Sequence, residues 1–222
     1  MSEDRTVVLG DPARRILAVE RPHPVRTAVD GPNAAGKTTL AEEPAVLIAA
    51  AGRPVSRASI DDFVCPSAER HRRRRDDPDG DRLDRLDRLA LIRLLLAPLG
   101  TGGHRRYRTG IFDVAADAPV QTRLPVAPAQ AVRVVDGVLL LSGGLRQHWD
   151  VSVFISVQPE TVLRRALAPD VPRLARYRAR YLPAQARYME EQRPLAAADI
   201  VVKNDDPARP RLLTARRANA QA

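Results

Sequence analysis

Residues Gly31-Pro32-Asn33-Ala34-Ala35-Gly36-Lys37-Thr38-Thr39 match the spacing G-x-x-x-x-G-K-[ST] and follow an apolar run, Val25 to Val29. Glycines at that spacing let backbone N–H groups turn inward around phosphate oxygens, and a helix beginning there adds the positive end of its dipole. Lys37 and Lys203 are the only lysines among 36 basic residues. A compact ammonium suits the β and γ phosphates better than a broad guanidinium, so Lys37 stands out in a chain that otherwise uses arginine. The Thr38 hydroxyl is placed to ligate Mg²⁺. Gly31, Asn33, Ala34, Ala35, Gly36, Lys37, Thr38 and Thr39 are therefore expected to hold ATP. An ordinary glycine turn capping a helix is the plain alternative.

Phosphoryl transfer also needs an acid near the metal and a base beside the acceptor hydroxyl. Two strand-like runs end in such groups. Ala131 to Asp136 places Asp136 at its end as a second metal group, and Ser56 to Phe63 carries the pair Asp61 and Asp62. In a parallel sheet these ends share one edge with the phosphate loop. Taken alone, each acid could equally be a helix cap or turn residue.

The elements that must position these groups are legible as alternating patterns. Apolar runs at Val25 to Val29, Val55 to Ile60, Val132 to Val135, Val151 to Val157 and Ile200 to Val202 alternate with longer helix-like segments. That order predicts an α/β chain with a parallel sheet covered by helices on both faces. Residues 1–24 read as a helical preface, 25–210 as one P-loop domain, and 211–222 as a disordered tail. Pro44 falls two turns into the helix after the loop and predicts a kink or an early end. Tyr177, Tyr181 and Tyr188 share a helix face expected against the sheet. Trp149 is expected to anchor the core rather than stack on a base.

Composition narrows the classes. At 222 residues the chain can build one sizeable domain, and its net charge of +9 favours anionic partners. The single cysteine, Cys65, excludes an internal disulfide, and His23, His71, His104 and His148 are too scattered for a metal site. The start, MSEDRTVV, is charged where a signal peptide is apolar, and the greasiest stretch, Leu91 to Leu99, contains Arg93. The expectation is a soluble, cytoplasmic protein with no membrane partner. The run Arg72 to Arg75 and the triple Asp-Arg-Leu repeat of Asp81 to Leu89 read as a solvated loop and an ion-paired helix. Neither has interleaved aromatics, so nucleic acid is not expected as a partner. The sequence assigns no oligomeric state.

From about residue 25 to 210 the chain resembles the uridine kinase family, particularly its actinobacterial uridine kinase-like members. The resemblance rests on GPNAAGKTTL, RASIDDF, APLGTGG, RRYRTGIFD, VVDGVLLL, LRQHWDVSVFI, RYRARYLPAQARY and ADIVVKNDDPARP, in that order. It implies the P-loop NTPase fold, a five-stranded parallel sheet flanked by helices with a helical lid over about 164–192, and an ATP- and Mg²⁺-dependent kinase that transfers the γ-phosphate to the 5′-hydroxyl of a nucleoside, uridine or cytidine. By the same resemblance Asp61 is the catalytic base, Asp136 a metal group, and Arg165 a lid arginine that neutralises the transferring phosphate. Asp76 grips the ribose hydroxyls, and Phe112 with Asp113 lies beside the base. Val114 to Asp117 stands where pyrimidine-selective members carry a histidine, and Pro169 where a lid arginine is usual. The competing functions are a related kinase for another small alcohol and a nucleotide-binding protein without transferase activity.

Overall fold

The valine-rich runs become strands because they are buried on both faces, where β-branched side chains pack well. In the computed structural model, which describes residues 5–70, 84–121, 123–166 and 177–213, the chain opens with α1 (Arg5–Leu17), β1 (Val25–Asp30), α2 (Lys37–Ala50) and β2 (Val55–Ser59). A 3₁₀ turn (Ile60–Phe63), α3 (Ser67–Arg70), and α4 (Arg88–Leu91) with its π-helical extension (Ile92–Leu96) come next. A hairpin of β3 (Phe112–Asp113) and β4 (Ala118–Pro119) precedes β5 (Val132–Gly137), α5 (Gly143–Arg146), β6 (Val151–Ser156) and α6 (Pro159–Ala166). A π-helical turn (Tyr177–Tyr181) leads into α7 (Leu182–Gln192), α8 (Pro194–Ala197), β7 (Ile200–Lys203) and β8 (Arg211–Leu213).

The main sheet has the order β2-β5-β1-β6-β7-β8. The first five strands are parallel, as the sequence predicts. The sixth is a correction: Arg211–Leu213, assigned by sequence to a disordered tail, pairs antiparallel with β7 through Val201↔Leu213 and Lys203↔Arg211. Central β1 is flanked by β5 and β6, so the chain departs to opposite sides of β1. The loop after β1 therefore opens into the crevice where parallel sheets bind ligands.

Each face of the sheet carries its own core. One holds Phe63, Leu91, Leu95, Leu99, Phe154 and Tyr188; the other holds Ile16, Leu40, Ile48, Val29 and Val153. The helical preface belongs to the second, because α1 packs on α2 and buries Val8, Leu9, Ala13 and Ile16. The early helix end expected at Pro44 does not occur. α2 runs through it to Ala50, with Leu40, Ala41, Ala45 and Ile48 buried, and that packing outweighs one lost hydrogen bond. Trp149 is a core anchor as expected, its indole N–H donating to Leu140 O at 2.8 Å. Of the three tyrosines, Tyr188 is buried against the sheet, while the rings of Tyr177 and Tyr181 lie 5.0 Å apart at a 57° tilt.

A buried ion pair fastens β1 to the start of β6. Arg26 donates from its backbone N and Nε to Asp150 Oδ2, at 2.8 and 3.0 Å, and from Nη2 to Oδ1 at 3.1 Å. Both side chains are at most a tenth exposed. Removing one member of such a pair strands a buried charge, which costs about 3–5 kcal/mol. Asp150→Ala is expected to lower the unfolding free energy by about that amount in urea titration. A loss under about 1 kcal/mol, the worth of an exposed pair, would contradict the account.

Candidate active site

The phosphate loop is held in shape by close backbone contact on both sides. A side chain at Gly31 would meet Ile155 O at 2.7 Å, and Gly36, the residue before α2, has φ 85°, a left-handed conformation that glycine adopts without strain. Ala34 shares that region, with φ 59°. The Lys37 ammonium folds back to donate to Pro32 O at 2.8 Å. On the far side Asn204 donates from Nδ2 to Ala35 O at 2.8 Å, so the loop after β7 buttresses the cradle. Burial lowers the Lys37 pKa from its ordinary value, and the carboxylates of Asp30, Asp61 and Asp136 oppose that shift.

Two of those carboxylates arrive together because β2 and β5 end in register, Ser59 opposite Asp136. The Ser59 hydroxyl then caps the 3₁₀ turn by accepting from Asp61 N at 3.3 Å, which sets Asp61 at the lip of a cavity of about 100 Å³. Asn33, Lys37, Thr38, Ser59, Asp61 and Asp136 all line it. Thr38 Oγ1 donates to Asp136 Oδ2 at 3.0 Å, Arg57 Nη2 donates to Asp136 Oδ1 at 3.1 Å, and Arg85 Nη2 donates to Asp61 Oδ1 at 2.7 Å. The sequence-predicted Lys37, Thr38, Asp61 and Asp136 are thus gathered in one place. No group of three His, Cys, Asp or Glu forms a metal cluster among the described residues. Mg²⁺ bound with a nucleotide needs no such cage, since one or two carboxylates, a hydroxyl and phosphate oxygens suffice, and Thr38 with Asp136 fits that donor set.

Other predicted residues lie elsewhere. Arg165 is on the outer side of the loop, donating from Nη2 to Asn204 O at 2.7 Å and Asp205 O at 3.0 Å, and from Nη1 to Ala34 O at 3.4 Å. Phe112 is buried beneath the Arg70 guanidinium, 5.8 Å from its ring centre, and the exposed Asp113 accepts from Ala115 N and Ala116 N. Their hairpin rests on the acid pair's turn through Ile111 N donating to Asp62 O at 2.8 Å. Asp76 and Pro169 lie outside the described residues.

Asp30 was not singled out by the sequence reading. It is fully buried at the end of β1, accepts from Gly31 N at 2.6 Å and Leu141 N at 3.0 Å, and takes a short hydrogen bond from the Tyr188 hydroxyl. Burial pushes its carboxyl up to about 6 despite those donors and the Lys37 charge. The available signal was a carboxylate inside an otherwise apolar strand, immediately before the first loop glycine. A second cavity, of about 420 Å³, lies between the loop, α6 and α7 and shares Asn33 with the first. Its α7 lining was also absent from the sequence reading.

Comparison with known proteins supports the architecture. No family model matches the chain, and no curated protein matches it. Solved structures do. One described as a possible uridine kinase from Bacillus stearothermophilus superposes with TM-score 0.71 and 20% identity over 88% of this chain and 97% of its own. A proposed fructose transport system kinase from a Silicibacter species gives TM-score 0.65 and 21% identity over 86% and 95%. D-glycerate 3-kinase from Cryptococcus neoformans gives 0.56 and 13% over 94% and 97%. The chain has the fold these P-loop kinases share. No helix among the described residues is long and apolar enough to cross a membrane.

The raised Asp30 carboxyl has a stability consequence with a definite sign. A carboxyl whose folded pKa exceeds its unfolded value favours the fold while protonated, so this contribution is complete below pH 3.8 and is lost as pH rises through about 6. A shift of this size corresponds to about 3 kcal/mol. Asp30→Asn cannot titrate, so from pH 4 to 7.5 its stability relative to wild type should rise by roughly that amount in denaturant titrations. A difference that stays flat with pH would contradict the burial argument.

Proposed function

We propose that this chain is an ATP-dependent kinase of the uridine kinase type, transferring the γ-phosphate to the 5′-hydroxyl of uridine or cytidine. The carrying observation is the cavity in which Lys37, Thr38, Asp61 and Asp136 meet at the carboxyl edge of the sheet. The likeness in fold to a protein described as a possible uridine kinase supports the acceptor class, as does the motif order of the sequence.

In this reading the amides of residues 33–38 and the Lys37 ammonium hold the β and γ phosphates, the ammonium leaving Pro32 O for phosphate oxygen. Thr38 and Asp136 would hold Mg²⁺, which when bound would neutralise charge on the phosphate oxygens. Asp61 accepts the proton of the acceptor hydroxyl, whose oxygen forms the new bond to phosphorus as the bond to the ADP leaving oxygen breaks. The Arg85 contact, at 2.7 Å, holds the Asp61 carboxylate at the cavity. Arg165 braces the cradle through the carbonyls of Ala34, Asn204 and Asp205 and forms the root of the 164–192 lid. Phe112 and Asp113 form the hairpin wall of the acceptor side, and Asp76 is assigned to the ribose by the sequence resemblance.

A second reading, a kinase of another small alcohol, draws on the likeness in fold to D-glycerate 3-kinase and the proposed fructose transport system kinase. ADP release against a panel of nucleosides, sugars and glycerate separates the two. With uridine as acceptor, Asp61→Asn should lower kcat by a factor of about 10² or more and leave ATP affinity unchanged, whereas Lys37→Ala should abolish ATP binding. Full turnover in Asp61→Asn would remove Asp61 from the base role.

A further inference from the structure

Arg57 reaches both residues assigned to the metal with a single nitrogen. Its Nη2 donates to Asp136 Oδ1 at 3.1 Å and to Thr38 O at 3.2 Å. Thr38 Oγ1 donates to the other carboxylate oxygen, Oδ2, at 3.0 Å. Asp136 lines the smaller cavity together with Thr38, Lys37 and Asp61, and Arg57 is not among its described lining residues. The guanidinium therefore grips the carboxylate from outside the cavity, and Oδ2 is the oxygen left beside the Thr38 hydroxyl.

The strands and their neighbours keep that grip in place. β2 and β5 run in register, with Arg57 opposite Val134 and Ser59 opposite Asp136. The Arg57 carbonyl accepts from Nη1 of the buried Arg133 at 2.8 Å, and Arg57 Nη1 lies 3.7 Å from Glu42 Oε2 on α2. The Asp136 side chain is only 7% exposed, so a cation near it offsets the burial of its charge. Proximity alone would do that. A guanidinium bonded to one oxygen of the two also fixes which oxygen remains for another ligand.

A carboxylate held by one oxygen offers an ion only the other. Mg²⁺ demands near-octahedral geometry with short bonds and keeps several waters, so one carboxylate oxygen, a hydroxyl and phosphate oxygens satisfy it. Ca²⁺ takes about six to eight oxygens at longer distances and accepts a carboxylate through both of its oxygens. The two ions carry the same charge, so repulsion from the guanidinium acts on them alike. What separates them is the number of oxygens that Asp136 has left to give.

We propose that Arg57 is a positioning residue of the metal site: by holding Asp136 Oδ1 it confines that carboxylate to one-oxygen coordination and selects Mg²⁺ over Ca²⁺ as the ion bound with the nucleotide. This rests on the kinase reading for the presence of a metal–nucleotide complex, and adds to that reading a residue that acts through Asp136.

The test is calorimetric titration of a non-hydrolysable ATP analogue, with saturating Mg²⁺ or Ca²⁺, into wild type, Arg57→Met, Arg57→Thr, Asp136→Asn and the double variant Arg57→Met with Asp136→Asn. The threonine is too short to reach Asp136 and its β-branched side chain suits a strand, so it serves if the methionine variant fails to fold. Wild type is expected to bind the Mg²⁺ complex at least about tenfold more tightly than the Ca²⁺ complex, and each Arg57 variant should shrink that preference about tenfold, the usual weight of a group bonded to a metal-ligating carboxylate. A mere counter-charge would weaken both complexes equally and leave the ratio intact. In the double variant the ratio should equal that of Asp136→Asn alone. No Mg²⁺ preference in wild type, a ratio unmoved by both Arg57 variants, or a further shift of the same size in the Asp136→Asn background would overturn the inference and leave the kinase reading standing. The predicted ratios with no ADP release from any acceptor would instead remove the kinase reading alone. Failure of wild type to bind either complex would remove both.

Discussion

Keeping the Lys37 ammonium charged inside a partly desolvated loop is the constraint around which the carboxyl edge of the sheet is organised. Burial pulls its pKa down, and three carboxylates, Asp30, Asp61 and Asp136, pull it back. They come from the end of β1, the turn after β2 and β5, so the charge balance at one nitrogen depends on the alignment of three neighbouring strands. Parallel pairing supplies that alignment, because strands in register finish at one edge and deliver their last side chains to a common crevice.

The same carboxylates would be costly to gather without counter-charges, and the arginines are distributed accordingly. Arg57 lies on Asp136, and Arg85 lies on Asp61. Asp30 has no arginine bonded to it among the described residues and relies on Gly31 N, Leu141 N and the Tyr188 hydroxyl. That third contact joins the strand that feeds the loop to α7, whose neighbouring turns wall the larger cavity. One buried carboxyl therefore joins the phosphate cradle to α7.

Much of this was readable in the chain, for physical reasons that differ by element. The loop was legible because close backbone approach admits few residue types, and Asp61 and Asp136 because polar residues ending apolar runs mark strand ends. Asp30 was overlooked since a carboxylate inside a buried run looks like the strand's own terminus; only the fold shows Tyr188, 158 positions away, closing on it. The strand Arg211–Leu213 was misread as tail, three residues being too few for a period, and its pairing comes from the exposed edge of β7. Pro44 shows the limit of propensity, since the buried face of α2 overrides the local break. Phe112 and Asp113, expected beside a base, carry contacts with Arg70 and with the turn at Ala115 and Ala116 that no local pattern announces.

A crystal structure of the protein with a non-hydrolysable ATP analogue and Mg²⁺ addresses the central claim most directly. The account predicts β and γ phosphates within the amides of residues 33–38, Lys37 Nζ transferred from Pro32 O to phosphate oxygen, and Mg²⁺ on Thr38 and Asp136. Nucleotide bound away from Gly31 to Thr39, or a Lys37 ammonium that stays on Pro32 O with triphosphate present, would contradict it.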